Sequence, residues 1–569
     1  MTVSRQGRTP LGTDELDAQG TQMTEWMTLA AAGAGLALLP RAVRRLQLSV
    51  AKHPSLGGHS KMALRLARWL PGYAFDEAQF YGADGADAAL QQRRRAGLQR
   101  LAHTLNTRHA RTLAATREAR EGLSDLQLTG AYRVPFPFSK TLRGLLGVGA
   151  FVQRTEGAWL VDLDDQRLLD LTGSYGVNVL GHAFYQRCMA EAQRRALPLG
   201  VSLGTYPEAL LDVLARLRRI SGQDEVSFHM SGTEAVMQAV RLARYHTGRR
   251  KVVRFCGAYH GWWGDVQPGP GNPMPADHTY TLEDLSPRAL HVLRTRQDIA
   301  CVLVNPLQVL HPNKAAPGDS GLMGARALPA VDAEAYAAWL RQLRAVCTER
   351  GIALVFDEVF MGFRLAPGGA QERFGVQADL VTYGKTLGGG FPLGVLCGRA
   401  RWMKRFRDDR PADLCFARGT FNAHPHVVMG VQVFLEQLET AEVQALYAGQ
   451  EARWDARAAR LNARLAEGGW PVQVSHWSSV WSVAYTQPGR YHWLLQFYLR
   501  EQGLTLSWVG TGRMVFTLDF SDADFDAVCQ RFAAACERMQ ADGWWEAAPS
   551  PKALKRMLLR ETWRAWRQR

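Results

Sequence analysis

Four short apolar runs punctuate the middle of the chain: Lys251-Val252-Val253-Arg254-Phe255, Ala300-Cys301-Val302-Leu303-Val304, Ala353-Leu354-Val355-Phe356 and Leu380-Val381-Thr382-Tyr383. Helical stretches separate them. Buried strands spaced by helices predict an α/β domain, with a mostly parallel sheet covered by helices on both faces. Chemistry in such sheets gathers at the carboxyl ends of the strands. Two runs end there in reactive side chains, one in Asp357-Glu358 and the other in Gly384-Lys385.

The flanks carry a different pattern. Residues 1–25 are polar and rich in Gly, Thr and Asp, the composition of a disordered leader. Trp26 to Pro40 is apolar throughout and is followed by Arg41, Arg44 and Arg45. At 15 residues it is shorter than the roughly 20 that span a bilayer. Asp14, Glu15, Asp17 and Glu25 stand where a signal peptide carries positive charge. Two readings stay open, a buried helix and a shallow anchor at a membrane surface. From Arg41 to about Leu123, apolar residues recur at three- and four-residue spacing among Arg and Ala, as a helical region. Lys552 to Arg569 mixes Leu554, Leu558, Trp563 and Trp566 with Lys and Arg, as either a docked helix or a second membrane-facing end.

Candidate chemistry clusters between these flanks. An amine and a carboxylate at the ends of neighbouring buried strands suit pyridoxal phosphate. Its aldehyde takes a lysine as a Schiff base, and its pyridine nitrogen needs an acid partner to stay protonated. Lys385 and Asp357 are the candidates, with Val359 positioned to cover one ring face. Ser231-Gly232-Thr233-Glu234-Ala235 opens a helical run, where free backbone N–H groups and the helix dipole hold phosphate. Tyr259-His260-Gly261 follows a strand, with an aromatic able to lie over a ring. Gly388, Gly389 and Gly390 let backbone pass close to Lys385, and Thr420 in Gly419-Thr420-Phe421 offers a further hydroxyl for phosphate.

Composition changes this picture little. The chain has 569 residues, 47% hydrophobic and 21% charged, enough for a large core and more than one domain. Its eight cysteines are scattered without a CxxC pair, which argues against a zinc site or a disulfide framework and fits a reducing cytoplasm. The formal charge of +15 comes without a zinc finger, basic zipper or RNA-binding signature, so nucleic acid is not an expected partner. Attraction to a membrane surface is the alternative account of that charge, leaving the protein cytoplasmic or peripheral at the inner face of the membrane.

These strings, in this order, resemble the class III aminotransferases, and within them the glutamate-1-semialdehyde aminomutases. The resemblance runs from about Leu128 to Trp545 and includes Leu180-Gly181-His182 and Gly362-Phe363-Arg364. It implies a fold-type-I enzyme with a seven-stranded, mostly parallel large domain, a smaller α+β domain, and a homodimer with active sites at the subunit interface. The expected division is a leader over 1–25, a helical extension over 26–127, the first part of the small domain over 128–200, the cofactor domain over 201–395, the rest of the small domain over 396–547 and a basic tail over 548–569. Lys385 would carry the cofactor and shuttle the proton, and Asp357 would pair with the pyridine nitrogen. Ser231, Gly232, Thr233, Tyr259, His260 and Val359 would surround the cofactor, with Thr420 reaching a neighbouring subunit's phosphate. Arg133, Tyr175 and Trp262 would face the substrate.

Several positions depart from the aminomutase pattern. Asn305-Pro306 stands where the family often has Glu-Pro, and Trp262 and Trp263 follow Tyr259-His260-Gly261. Asp265 to Asp277, the family's mobile gate, is rich in Pro and Gly, and Trp508 to Arg513 lacks a family Glu. These changes leave the cofactor chemistry intact and point to amino transfer between a small amino donor and a keto or aldehyde acceptor in a specialised biosynthetic pathway. The alternative keeps the cofactor but forms or cleaves a carbon–carbon bond on an acyl thioester or lipid-like substrate, with Trp262, Trp263, Trp477, Trp481 and Trp508 lining its pocket. A non-catalytic scaffold is a third reading, disfavoured by the joint presence of Asp357 and Lys385.

Overall fold

The computed structural model describes residues 39–52, 59–70, 72–142, 144–267, 269–274, 276–306, 332–507, 512–546 and 550–567. The leader, nearly all of the apolar stretch 26–40 and Trp508 lie outside them.

Seven strands form the central sheet: β1 (Glu225–His229), β2 (Lys251–Phe255), β3 (Thr279–Leu282), β4 (Ile299–Val304), β5 (Ala353–Asp357), β6 (Leu380–Gly384) and β7 (Gly394–Gly398). Their order is β1-β7-β6-β5-β4-β2-β3, and β7 alone runs antiparallel to its neighbours. All four apolar runs read from the sequence are strands of this sheet. Strands β4 to β7 are buried along their whole length because helices cover both faces, which is why they read as continuous rather than alternating hydrophobic runs. One of those helices, Gly232–Thr247, starts directly after β1 and is capped by Ser231, whose side chain accepts from the N–H of Glu234.

The small domain pairs Arg154–Glu156, Trp159–Val161 and Arg167–Asp170 with the distant Leu504–Thr505, and adds a three-stranded antiparallel sheet. Trp454, Trp481 and Phe516 pack together in its core.

The extension is helical, as its periodicity predicts, and its helices Ala88–Arg108 and Ala110–Gly122 dock on the small domain. Buried Arg94 donates to the carbonyls of Tyr81 and Gly543, and Arg100 bridges Glu501 and Asp542 at 2.8 and 2.6 Å. His109 meets Asp162, and Phe138 stacks on Trp493. The C-terminal helix Pro551–Arg567 is docked as well, through buried Leu554 and an ion pair from Glu561 to Arg490, while Trp563 and Trp566 stay exposed. Among the described residues no helix is long and apolar enough to cross a membrane.

Candidate active site

Asp357 and Lys385 end adjacent parallel strands, with Asp357 in register with Thr382 on β6. The Asp357 carboxylate is buried and held from three sides. His260 Nδ1 lies 2.7 Å from Oδ2, and Thr382 Oγ1 and the Val359 N–H each donate to Oδ1 at 3.2 Å. A carboxylate oxygen accepts, so in this contact Nδ1 is the donating nitrogen of His260. The carboxylate has about four lone-pair positions, so one remains for a further donor. The other ring nitrogen of His260 is buried without a partner among the described residues. His260 therefore touches the site by orienting Asp357.

Lys385 begins a tight turn and has a left-handed backbone (φ 47°), a strained conformation for a residue with a side chain. Burial lowers its pKa, opposed by the nearby Asp357 and reinforced by Arg364. Its Nζ lies 6.0 Å from the centre of the Phe360 ring. Arg364 is fully buried and donates to Ser479 Oγ at 2.7 Å and to the Phe516 carbonyl at 2.9 Å, joining the loop after β5 to the small domain. Removal from water draws its pKa down to about 10.

The start of helix Gly232–Thr247 faces the same strand ends. Gly232 packs so closely on Val359 that a Cβ there would stand 2.5 Å from Val359 Cγ1. A Cβ at Gly394 on β7 would stand 1.9 Å from the carbonyl oxygen of Ser231. Only hydrogen fits at either position, which lets the helix start pass directly over the strand ends.

The remaining candidates are spread more widely. Tyr259 is 61% exposed, and burial of part of its ring together with Asp357 raises its pKa. Thr420 lies on an exposed loop beside exposed Phe421. Arg133 and Tyr175 line one cavity of about 510 Å³ between the extension and the small domain. Trp262 is 71% exposed and is not among the residues lining that cavity. The tryptophans grouped in the carbon–carbon reading are dispersed: Trp481 is core, and half-buried Trp477 lies under Arg373. Among the described residues, Trp262, Trp477 and Trp481 therefore line no common pocket.

Sequence reasoning passed over Thr382 and Phe360. Phe360 follows Val359 directly and was within reach of the motif. Thr382 carries no local signal, because only strand pairing brings it to Asp357.

The model of the family described as Aminotransferase class-III matches residues 145–264 and 332–536, more than half of the chain. The chain belongs to the class-III aminotransferases. A glutamate-1-semialdehyde 2,1-aminomutase of Geotalea daltonii is 29% identical over 391 residues, covering 65% of this chain and 85% of that protein. One of Nitratidesulfovibrio vulgaris is 35% identical over 379 residues, covering 62% and 81%. A solved structure described as a transaminase with PLP bound superposes with a TM-score of 0.59 at 25% identity, covering 73% of this chain and 94% of that one. The aminotransferase is a fold-type-I enzyme whose cofactor is pyridoxal 5′-phosphate, and the carbon–carbon alternative draws no support from these matches. The cofactor suits the residues present. Among the described residues the amine of Lys385 makes no ion pair, Asp357 keeps one acceptor position, and the half-buried first turn of helix Gly232–Thr247 brings its positive dipole end to the same strand ends.

Proposed function

We propose that this aminotransferase moves an amino group from a small donor to a keto or aldehyde acceptor in a specialised biosynthetic pathway, with Lys385 and Asp357 as its catalytic pair. The observation that carries this reading is the pairing of a desolvated, unclamped lysine amine with a buried carboxylate fixed by His260, Thr382 and the Val359 N–H. When bound, pyridoxal phosphate supplies an electron sink for the carbon next to the amino nitrogen. Lys385 Nζ would remove the proton from that carbon and redeliver it within the same half-reaction, and the second half, on the acceptor, would run the same proton transfers in reverse. Burial raises the fraction of neutral amine available near neutral pH. Asp357 holds the proton on the pyridine nitrogen, and His260 keeps the carboxylate aimed. Ser231, Gly232, Thr233 and Thr420 bind phosphate, Tyr259 and Val359 flank the ring, and Arg133, Tyr175 and Trp262 serve the substrate. The same residues suit an aminomutase-type transfer within one molecule.

Thr420 acts on a second copy in this reading, so the working unit is a homodimer. Exposed Leu197, Val201, Tyr206, Phe416 and Phe421 supply apolar surface for that contact. Eight buried cysteines that form no disulfide among the described residues fit a cytoplasmic enzyme. Peripheral membrane contact is a second reading, favoured by Leu559, Trp563 and Trp566 standing exposed among Arg and Lys on one docked helix. Liposome sedimentation decides it, since equal binding by the parent and by a variant with both tryptophans replaced by Ser removes that reading.

The functional proposal is tested by a donor–acceptor screen on cofactor-loaded enzyme, alongside Lys385→Ala. Transfer that survives in the variant refutes it.

A further inference from the structure

Two helices of the extension turn apolar stripes outward. Helix 39–50 exposes Leu39, Val43, Leu46 and Val50, and helix Ser60–Trp69 exposes Met62, Leu66 and Trp69, the last 81% accessible. In both, the exposed residues recur at four- and three-residue spacing, which sets them on one helix face. Single exposed apolar side chains are ordinary on a protein surface, whereas aligned ones mark a contact surface.

Other sides of these helices do the docking. Helix 39–50 packs on the core through Leu48, about 200° around the helix from both Leu46 and Val50. Past its end the Ala51 carbonyl accepts from the Glu283 N–H at 2.9 Å, beside edge strand β3, and the Val50 carbonyl accepts from Arg288. Helix Ser60–Trp69 is seated by buried Ala63, by the ion pair of Lys61 with Asp277, and by Arg68, which donates to the Pro273 carbonyl at 3.3 Å. Few contacts seat each helix, and they hold it with its larger apolar face in water. A helix that stabilises a soluble core is turned the other way.

The C-terminal helix Pro551–Arg567 repeats the pattern with exposed Leu559, Trp563 and Trp566. It also adjoins the extension. Tyr73 hydrogen-bonds Thr562, so the two ends of the chain meet just past Trp69 and exposed Leu70.

Charge decides what covers the stripes. From Leu39 to Phe75 the chain carries Arg41, Arg44, Arg45, Lys52, Lys61, Arg65 and Arg68 and no Asp or Glu. A second copy pairing this surface with itself would set those arginines against one another. An anionic bilayer satisfies both features, because its headgroup–acyl boundary takes the apolar stripe while its phosphates attract the cations.

We infer that helices 39–50 and Ser60–Trp69 form a surface that docks this enzyme on an anionic phospholipid bilayer. The inference is independent of the aminotransferase reading. It extends the membrane reading of helix Pro551–Arg567 to a separate and larger surface, and gives the first part of the extension a role.

Sedimentation of the full-length, cofactor-loaded enzyme with extruded vesicles tests it, using phosphatidylcholine alone and phosphatidylcholine with about 30% phosphatidylglycerol. Binding to the anionic vesicles should be about tenfold or more stronger than to the neutral ones, and weaker with added salt. The triple variant Leu46→Ser, Met62→Ser, Trp69→Ser should lower partitioning onto anionic vesicles about 30-fold or more. Arg44→Gln with Arg45→Gln should lower it about tenfold and leave neutral vesicles unaffected. All five positions are exposed, and an unchanged cofactor band and unfolding midpoint show that the variants are folded. Equal binding by the parent and the triple variant overturns the inference, as does equal binding of the parent to both vesicles. If Trp563→Ser with Trp566→Ser then abolishes binding that the triple variant keeps, the membrane reading of the C-terminal helix stands without this one. A lower mass of the triple variant by light scattering, with vesicle binding unchanged, also overturns it and assigns the stripes to a second copy. Failure of the aminotransferase reading shows in the cofactor band and the donor–acceptor screen, not in sedimentation.

Discussion

Replacing Gly232 by Ala places one methyl group at the tightest contact of the candidate site. The new Cβ would lie 2.5, 2.8 and 3.2 Å from Val359 Cγ1, Cγ2 and Cβ, against about 3.5–4.0 Å for carbon atoms at rest. Val359 is β-branched and stiff at χ1, so it cannot swing away cheaply. Its N–H also donates to Asp357 Oδ1, so displacement of Val359 disturbs the carboxylate. Overpacking of this kind costs about 1–3 kcal/mol, or roughly 5- to 150-fold in cofactor affinity if the strain falls on the bound state. Val359→Ala removes both offending Cγ atoms. The double variant should therefore bind cofactor better than Gly232→Ala alone, with a coupling of about 1–2 kcal/mol. Titration of cofactor-free protein with pyridoxal phosphate, followed by visible absorbance, gives all four affinities. Parental affinity in Gly232→Ala, or additive losses in the double variant, would refute the claim that this contact shapes the site.

Lys385→Ala should lower amino transfer by about 1,000-fold or more while the cofactor still binds, read by steady-state rates and absorbance. Glu358 is buried and its pKa is pushed up to about 7 by desolvation, despite N–H donors from Ala370 and Gln371. The folded state therefore holds its proton more tightly than the unfolded chain does. Its contribution is complete below about pH 4.5 and is lost as pH rises through 7, a swing of about 3 kcal/mol. Denaturant unfolding between those pH values should show a shallower decline in Glu358→Gln, and parallel profiles would count against it. Ser174 has φ 46° in a run of four left-handed residues, so Ser174→Gly should stabilise the fold by about 0.5–1 kcal/mol, seen as a higher unfolding midpoint. Arg490 joins buried Asp84 to Glu561, and Arg490→Met should cost about 3–5 kcal/mol and speed proteolysis of helix Pro551–Arg567.

Much of this protein is legible in one dimension. Continuous apolar runs flanked by helices already imply strands buried on both faces, since no other arrangement hides their entire surface. Lys385 and Asp357 stand out because each closes such a run, and Ser231-Gly232-Thr233 because small polar residues start helices. Those signals are local, and local chemistry survives in a linear string. The partners of those residues do not. His260 meets Asp357 across 97 positions, and Arg364 reaches Ser479 across 115, through strand order and domain docking that no short window encodes. The extension is the sharpest case: its helical period is visible, but nothing in that period tells which of its arginines meet the rest of the chain. Only docking sets Arg117 and Arg120 in one cavity with Arg133 and Arg500. Which side chains lose their water is decided by packing between distant segments, and burial is therefore a property of the tertiary structure.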